Sequence, residues 1–351
     1  MMQGPGIRKR LSPETTPAPP EHGRRRMGLR RKRIRNTALA MLGVVLAVAV
    51  AAGGFLWYLG TAYDEGRSTI AGALPVDKPP RTEAAENARN ILLMGSETRN
   101  PASGDATPDM MMLLHLPGDR SGVYVLSILP YAVVDVPGHG SQPIDSTMRL
   151  GGVSLTVETV QNLFNVPIDH VAVVDFEGFR GLTNALGGVT LHNDAPFHSD
   201  GPEGEFFAAG RITVQGESAL NYVRTRHTFT GDSDSRRMRN EQALLAGILS
   251  GLLDRGQVPS PVMIGNVVNE ISPYLSVDEE FDSRTAGALA FSLREIRPAD
   301  IHMYTLPVQG GGVSAAGLPA AVPDAAAVAD ITAALAADNL AGYLPAGAPA
   351  G

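Results

Sequence analysis

The chain has 351 residues, no cysteine and a formal net charge of −7 at pH 7. The absence of cysteine excludes a disulfide framework, a thiolate metal site and a cysteine nucleophile. Residues 1–36 contain eleven Lys or Arg and two Glu, and removing their net +9 leaves −16 for the rest of the chain, which predicts no nucleic-acid partner for that part.

The N-terminal end is predicted to be a disordered basic tail over residues 1–36, followed by a transmembrane helix over 37–60. Pro-rich sequence separates the basic runs of the tail, which disfavours a packed structure. No charged residue occurs between Thr37 and Tyr63. The far end of this apolar stretch carries aromatic residues of the kind that line a membrane interface, namely Trp57, Tyr58 and Tyr63.

A secretory signal peptide is the alternative interpretation of this segment. Ala49-Val50-Ala51 resembles a cleavage site, but it lies in the middle of a long apolar stretch, so we favour a retained single-pass anchor. Because the Lys and Arg residues lie before the helix, we expect a cytoplasmic N-terminus and an extracytoplasmic C-terminal domain in the cell membrane.

The remainder of the chain is predicted to contain one folded domain. Residues 61–89 are polar and interrupted by prolines, which is typical of an extracytoplasmic linker. We place the domain at 90–340 and a flexible tail at 341–351.

Short apolar runs and helical periodicity alternate along this domain. The predicted strands cover residues 91–95, 110–116, 122–128, 171–176, 189–191 and 301–306. The predicted helices cover residues 153–165, 179–186, 217–223, 238–253, 261–271, 277–293 and 325–337. Ser276 and Glu279 have the spacing of a capping box at the start of the helix over 277–293. The alternation predicts an α/β (α+β mixed) fold, with a central β-sheet flanked by helices.

A dense cluster of charges occupies residues 224–239. It contains Arg224, Arg226, Asp232, Asp234, Arg236, Arg237 and Arg239. One guanidinium group can bind two phosphate oxygens at once. Neighbouring Asp residues can orient the guanidinium groups or hold a divalent cation. A phosphate site is therefore one interpretation, and a solvated surface loop whose charges neutralise one another is the other.

Several motifs in this chain occur in a characteristic order. They are NILLMGSETR at 90–99, PDMMM at 108–112, DVPGHG at 135–140, VDFEGF at 174–179, ALGGV at 185–189 and GESALNYVRTR at 216–226. In this order they resemble the LytR-CpsA-Psr family of bacterial cell-envelope proteins. The resemblance extends from about residue 90 to residue 340.

The resemblance implies a membrane-anchored, extracytoplasmic phosphotransferase that attaches polyprenyl-pyrophosphate-linked glycopolymers to peptidoglycan. Such phosphoryl transfer needs cations at the pyrophosphate, a divalent metal and a base for the incoming hydroxyl. Carried over by position, the implied pyrophosphate ligands are Arg99, Arg224, Arg226 and Arg237. Asp234 and Arg237 match the catalytic Asp-x-x-Arg pair. Glu97 and Asp109 are the implied Mg²⁺ ligands.

The chain also departs from the family pattern. Pro130 and Tyr131 stand where the family has Arg and Asp, and Pro143 stands where it has Lys. Aligning the helix on Gln242 puts Asn240 in place of a second Arg. Moving the alignment by one residue would restore that Arg but lose the Asp before it. Arg149 is a candidate substitute for the missing Lys. Two hypotheses follow: an enzyme with a partly eroded site, or a catalytically inactive binder or scaffold for polyprenyl-pyrophosphate precursors.

Overall fold

The structure is a computed structural model that describes residues 22–96, 108–201, 203–225, 233–253, 260–313 and 319–343. Side chains are described in these ranges except at 22–40, 233–234, 310–313 and 319. Contacts between Cα atoms divide the chain into two units, Met1–Trp57 and Tyr58–Gly351. The second unit contains the sheet and the helices that pack on it.

The strands are β1 (Ser68–Ile70), β2 (Arg89–Ser96), β3 (Met110–Leu116), β4 (Val123–Ser127), β5 (Val133–Val136), β6 (Gly140–Pro143), β7 (His170–Asp175), β8 (Val189–Asn193), β9 (Phe197–His198), β10 (Phe206–Phe207), β11 (Gly210–Val214), β12 (Leu275–Asp278), β13 (Ile301–Thr305), β14 (Val308–Val313) and β15 (Pro319–Pro323). The α-helices are α1 (His22–Gly66), α2 (Ser146–Phe164), α3 (Phe176–Ala185), α4 (Glu217–Arg224), α5 (Ser233–Leu253), α6 (Pro261–Ile271), α7 (Ser283–Ser292) and α8 (Ala325–Ala336). Short 3₁₀ turns cover Ser272–Tyr274, Pro298–Asp300 and Leu340–Gly342.

A mixed seven-stranded sheet forms the centre of the second unit, with the strand order β1-β12-β7-β2-β3-β4-β13. Strands β2, β4, β7 and β13 run in one direction, and β3 and β12 run in the other. Alternate side chains of the sheet enter two separate cores: Leu92 and Met94 belong to one, and Ile91 belongs to the other. Successive strand residues point to opposite faces, so both faces of the sheet are buried.

Helices cover both of these faces. Helices α2 and α8 contribute Val157, Phe164 and Leu335 to the core that contains Leu92. Helices α3, α4 and α5 supply most of the helical residues of the other core, including Phe179, Leu220, Leu244 and Ile248. The predicted arrangement of a central sheet flanked by helices is confirmed.

Most of the predicted elements coincide with observed ones. The strands expected near residues 91, 110, 122, 171, 189 and 301 are present, and the helix predicted over 261–271 matches α6. The helix predicted over 153–165 is the second part of α2, which is interrupted at Gly151 and Gly152 by non-helical backbone angles.

The helix predicted over 277–293, with Ser276 as N-cap and Glu279 in a capping box, is wrong. Leu275–Asp278 form strand β12, which pairs antiparallel with β7 and parallel with β1. Val277 is fully buried there. This short run fills the position between β1 and β7, and pairing within the sheet outweighs the local capping signal.

The helix in this region is α7, and it begins later than predicted. Asp282 has extended backbone angles, and its Oδ1 accepts a hydrogen bond of 2.8 Å from the backbone N–H of Thr285. An Asp in this position satisfies one of the N–H groups that a helix start leaves without an intrahelical partner. The true N-cap therefore lies six residues after Ser276.

The range assigned to the linker, 61–89, contains ordered structure. Ser68–Ile70 form β1 at the edge of the sheet, and Ala85 and Ala88 are buried. Arg81 Nη2 lies 2.6 Å from Asp169 Oδ1, so part of this range packs against the sheet domain.

One helix among the described residues is long and apolar enough to cross a membrane. It is the part of α1 from Met41 to Gly66, within which an 18-residue stretch has a mean hydropathy of 2.1. Its side chains from Met41 to Gly54 are exposed, as the chain of a membrane anchor would be outside a bilayer.

Candidate functional site

The candidate site lies at the carboxyl edge of the strands that run in one direction. Strands β2, β4, β7 and β13 end together at this edge, at Ser96, Ser127, Asp175 and Thr305. Strand β3 runs the opposite way and therefore begins there, immediately after Asp109. Ligands of open α/β sheets bind at such an edge, because loops and helix starts converge on it.

Arg237 of α5 reaches this edge and lies between two carboxylates. Its Nη1 is 3.5 Å from Asp109 Oδ1, and its Nε is 3.9 Å from Glu241 Oε1, one turn further along the helix. The side chain of Arg237 is 9% exposed, and that of Asp109 is 22% exposed. A nearly buried guanidinium is tolerated when anions lie beside it, so this cation is held in place before any ligand arrives.

Gln242 and Asn240 fix α5 in this position. Gln242 Nε2, with two N–H groups, lies within hydrogen-bond distance of three oxygens: the Ser127 hydroxyl at 2.8 Å, the Tyr304 carbonyl at 3.0 Å and the Thr305 hydroxyl at 3.0 Å. Asn240 is buried, and its Nδ2 donates to the Tyr222 carbonyl at 3.0 Å. The Asn240 amide thus joins α5 to α4.

The other two arginines of this helix face away from Asp109. Arg239 lies 3.7 Å from Asp194, with a side chain that is 48% exposed. Arg236 donates to the Ala195 carbonyl, and its Cζ lies 5.6 Å from the centre of the Phe197 ring. Of the described arginines of α5, Arg237 is the one that lies beside Asp109 at the strand ends.

Arg224 lies at the same edge of the sheet from the end of α4. Its Cζ is 5.3 Å from the centre of the Phe176 ring, and Phe176 directly follows Asp175 at the end of β7. An aromatic face stabilises a guanidinium and orients it. Arg224 and Arg237 therefore approach one edge of the sheet from two helices.

Asp145 and Arg149, at the start of α2, belong to the surroundings of Asp109. Asp145 is half-buried, and burial raises its pKa. The charge of Arg149 lowers this pKa and the charge of Asp109 raises it further. The Asp145 backbone N–H donates to the Pro130 carbonyl at 2.9 Å, which ties α2 to the segment that contains Pro130 and Tyr131.

That segment has apolar contacts in place of the expected charges. Leu129 is buried, and Tyr131 is half-buried against the core that contains Leu92. Pro143 is the last residue of β6 and pairs with Val133 of β5. Tyr131, where the resemblance implies an Asp, thus packs against the core, and Pro143, where it implies a Lys, lies in a hairpin.

Several predicted site residues lie outside the described part of the chain. These are Glu97, Arg99 and Arg226, whereas Asp234 lies in the first turn of α5 without a described side chain. Within the described ranges, no three Asp, Glu or His side chains are grouped to hold a metal ion. Asp109 is the only one of the two implied Mg²⁺ ligands that the structure describes.

Sequence reasoning missed two acidic residues near this site, Glu241 and Asp145. The signal for Glu241 is its spacing of four residues from Arg237, which puts both on one helix face. Asp145 has no such local signal, because only the fold brings the start of α2 near Asp109.

Comparison with known proteins agrees with this architecture. The model of the LytR_cpsA_psr family matches residues 61–337. The chain belongs to the LytR-CpsA-Psr family. A relative from Bacillus subtilis (strain 168), the polyisoprenyl-teichoic acid–peptidoglycan teichoic acid transferase TagU, is 26% identical over 315 residues, which cover 86% of this chain and 96% of TagU.

Solved structures of LytR-CpsA-Psr proteins share the fold. B. subtilis TagV gives a TM-score of 0.62 at 21% identity and covers 74% of this chain and 99% of its own. The LytR-Csp2A-Psr enzyme from Actinomyces oris also gives 0.62, at 18% identity, covering 77% of this chain and 96% of its own. At these identities the likeness establishes the fold.

Proposed function

We propose that this chain transfers a glycopolymer from a polyprenyl pyrophosphate carrier to peptidoglycan. In this reaction a peptidoglycan hydroxyl oxygen bonds to the phosphorus next to the sugar. The bond from that phosphorus to the bridging oxygen breaks, and polyprenyl monophosphate leaves. The hydroxyl proton passes to a base. Cations that neutralise the pyrophosphate oxygens lower the barrier of such a transfer.

The single observation that carries the proposal is the position of Arg237. Its side chain is nearly buried between Asp109 and Glu241, at the edge where the parallel strands end. A guanidinium fixed in this way needs little reorganisation to bind an anion. The relationship of this chain to TagU, which is named for teichoic acid transfer to peptidoglycan, supports the same chemistry.

Further roles follow from the family pattern. Arg99, Arg224 and Arg226 bind the pyrophosphate together with Arg237, and Asp234 orients Arg237. Glu97 and Asp109 would hold Mg²⁺, which would supply further neutralisation of the phosphate oxygens. The contact of Arg224 with Phe176 supports a fixed orientation for that cation.

Asp145 is our candidate for the base. It lies half-buried near Asp109 and Arg149, and a carboxylate whose pKa is raised accepts a proton more readily at neutral pH. Arg149 is exposed and near Asp145, which supports its role as the replacement for the missing family Lys.

The placement of the enzyme follows from the anchor. The apolar helix within α1 holds the chain in the membrane, the basic tail lies in the cytoplasm, and the sheet domain lies outside, where peptidoglycan is found. A lipid-linked donor reaches the domain from the same bilayer.

A second function, precursor binding without turnover, is favoured by one specific observation. Tyr131 packs against the apolar core, and Asn240 is engaged with the Tyr222 carbonyl. Two positions that carry charge in the family thus serve packing and helix contacts. Each preorganised contact that is lost slows chemistry by about 100-fold to 1000-fold, whereas binding tolerates such losses better.

The test uses the full-length chain in nanodiscs with a short-chain polyprenyl pyrophosphate sugar as donor and peptidoglycan as acceptor. Magnesium-dependent release of polyprenyl monophosphate supports the transferase, and its absence from a folded preparation rejects it. Binding without release supports the scaffold, provided that the double variant R224A/R226A weakens it. Unchanged affinity in that variant would reject both functions at this site.

A further inference from the structure

The first turn of helix α6 carries apolar side chains that are exposed in the described part of the chain. Its first four residues are Pro261, Val262, Met263 and Ile264. Val262 is 71% exposed and Ile264 is 37% exposed. The opposite face of α6 is packed, since Val267 and Ile271 contact the core beneath α3. Single exposed apolar residues are common on protein surfaces. The exposure of Val262 therefore indicates a contact surface only if its position in the fold points to a contact partner.

The last turns of α1 lie alongside α6. Asn269 Nδ2 donates to the Tyr58 hydroxyl at 2.8 Å. A Cβ built on Gly265 would lie 3.9 Å from Tyr58 Cε1, and one built on Gly66 would lie 2.7 Å from the Cβ of Ser272. Tyr58 thus meets the middle of α6 and Gly66 meets its end, so the two segments run in the same direction.

This direction places the start of α6 at the Tyr58 end of the pair. Val262, Gly265 and Asn269 have the spacing of residues on one helix face, the face that meets Tyr58. With a rise of about 1.5 Å per residue, Val262 lies about 4.5 Å beyond Gly265 along the axis, away from Gly66. Tyr58 itself belongs to the stretch from Met41 to Gly66 that is apolar enough to cross a membrane.

We propose that the first turn of α6, residues 261–264, inserts into the outer leaflet of the bilayer beside the anchor helix. Tyrosine favours the membrane interface, because its ring is apolar and its hydroxyl is wet. The hydroxyl of Tyr58 would lie at the level of Asn269, and Val262 would lie deeper among the acyl chains. Asn266 would lie between them.

This second attachment would set the height of the candidate site above the bilayer. Helix α6 packs closely on α3: a Cβ on Gly178 would lie 3.1 Å from Ile271 Cδ1. Helix α3 begins with Phe176, which contacts Arg224. A rigid connection therefore leads from the lipid surface to Arg224. The inference uses the anchor and does not depend on the chemistry of the Asp109–Arg237 site.

The absence of cysteine allows a clean test with single nitroxide labels on the full-length chain. The chain is placed in nanodiscs of phosphatidylcholine and phosphatidylglycerol and labelled as V262C, N266C or V322C. Val322 is the matched control, since it is an exposed valine on β15, 57% accessible. Collisions with oxygen and with a water-soluble nickel chelate report depth.

We expect the label at V262C to lie about 5–10 Å below the lipid phosphates, as in other interfacial helices. The label at N266C should lie near the phosphates, and that at V322C should be in water. Equal nickel accessibility at V262C and V322C would overturn the proposal. Low accessibility of V262C to both reagents would also overturn it, because a second protein would then cover α6. Neither outcome would affect the polyprenyl phosphate release assay.

Discussion

Arg237 Nη1 and Asp109 Oδ1 lie 3.5 Å apart although 128 positions separate the two residues. The contact joins α5 to the start of β3 at the edge where the parallel strands end. Glu241 approaches the same guanidinium from the next turn of α5. Two carboxylates thus hold one nearly buried cation.

Replacing Arg237 with Lys should remove most of the transferase activity. Lys keeps the positive charge but loses the planar fork that contacts two oxygens, so we expect turnover to fall at least about 100-fold. R239K is the control, since Arg239 is two residues away and half-exposed. The measurement is the rate of polyprenyl monophosphate release by both variants in nanodiscs. Equal rates would show that Arg237 does not bind the reacting group.

The variant D109N should lose the magnesium dependence of the reaction. An amide is a weaker ligand for Mg²⁺ than a carboxylate, and we expect turnover to fall about 100-fold to 1000-fold. Titration of Mg²⁺ should no longer raise the residual rate. D135N serves as the control because Asp135 is exposed on β5. A D109N protein with an unchanged magnesium response would contradict the assignment of Asp109 as a ligand.

The variant D145N should be more stable than the parent chain at neutral pH. Burial and the charge of Asp109 raise the pKa of Asp145 above its ordinary value of about 3.9, so its ionised form costs folding free energy. The free-energy cost of ionising Asp145 in the folded chain is absent at pH values below its ordinary pKa. It reaches its full size at pH values above its raised pKa in the folded chain. D145N should therefore gain stability relative to the parent as pH rises from about 4 to 7.

Urea unfolding in detergent micelles at both pH values measures this difference. D135N should show none, because Asp135 is exposed. If Asp145 also serves as the base, D145N gains stability while it loses turnover, a trade found at functional sites. A D145N protein that is less stable than the parent at pH 7 would contradict the burial argument.

The sequence predicted five of the seven strands of the central sheet and missed β1 and β12. Apolar runs bounded by turns identified β2, β3, β4, β7 and β13, because buried strands need uninterrupted apolar residues. Strand β1 is short and polar at its start, and the run at 275–278 carried a stronger local signal for a helix start. The pairing of these two strands with each other and with β7 depends on what lies beside them, which no local pattern records.

The candidate site was predictable only in part for the same reason. Motif order identified Asp109, Arg224 and Arg237 as site residues, but no spacing along the chain shows that Asp109 meets Arg237. Helical periodicity puts Glu241 on the face of Arg237 without showing what that face contacts. The effect of Asp109 on Asp145 arises from the packing of α2 near β3 and has no counterpart in the sequence.

Gln242 should stabilise the folded domain as well as hold α5 in its position. Its amide nitrogen lies within hydrogen-bond distance of oxygens of Ser127, Tyr304 and Thr305, and Q242A leaves these acceptors without that donor. We expect a loss of about 1–3 kcal/mol in the free energy of unfolding. Q215A is the control, since Gln215 is exposed before α4. Chemical denaturation of the two variants gives the answer, and equal midpoints would show that Gln242 does not hold α5.

Phosphoglycosyl transfer moves one phosphorus atom of the donor to peptidoglycan, so the fate of each phosphorus distinguishes it from transfer of the sugar alone. The donor is prepared with radioactive phosphorus either next to the sugar or next to the lipid, and the full-length chain is incubated with it and peptidoglycan. Our account predicts that the label next to the sugar moves to peptidoglycan and that the label next to the lipid stays with polyprenyl monophosphate. Retention of both labels by the lipid, with the sugar transferred, would contradict it.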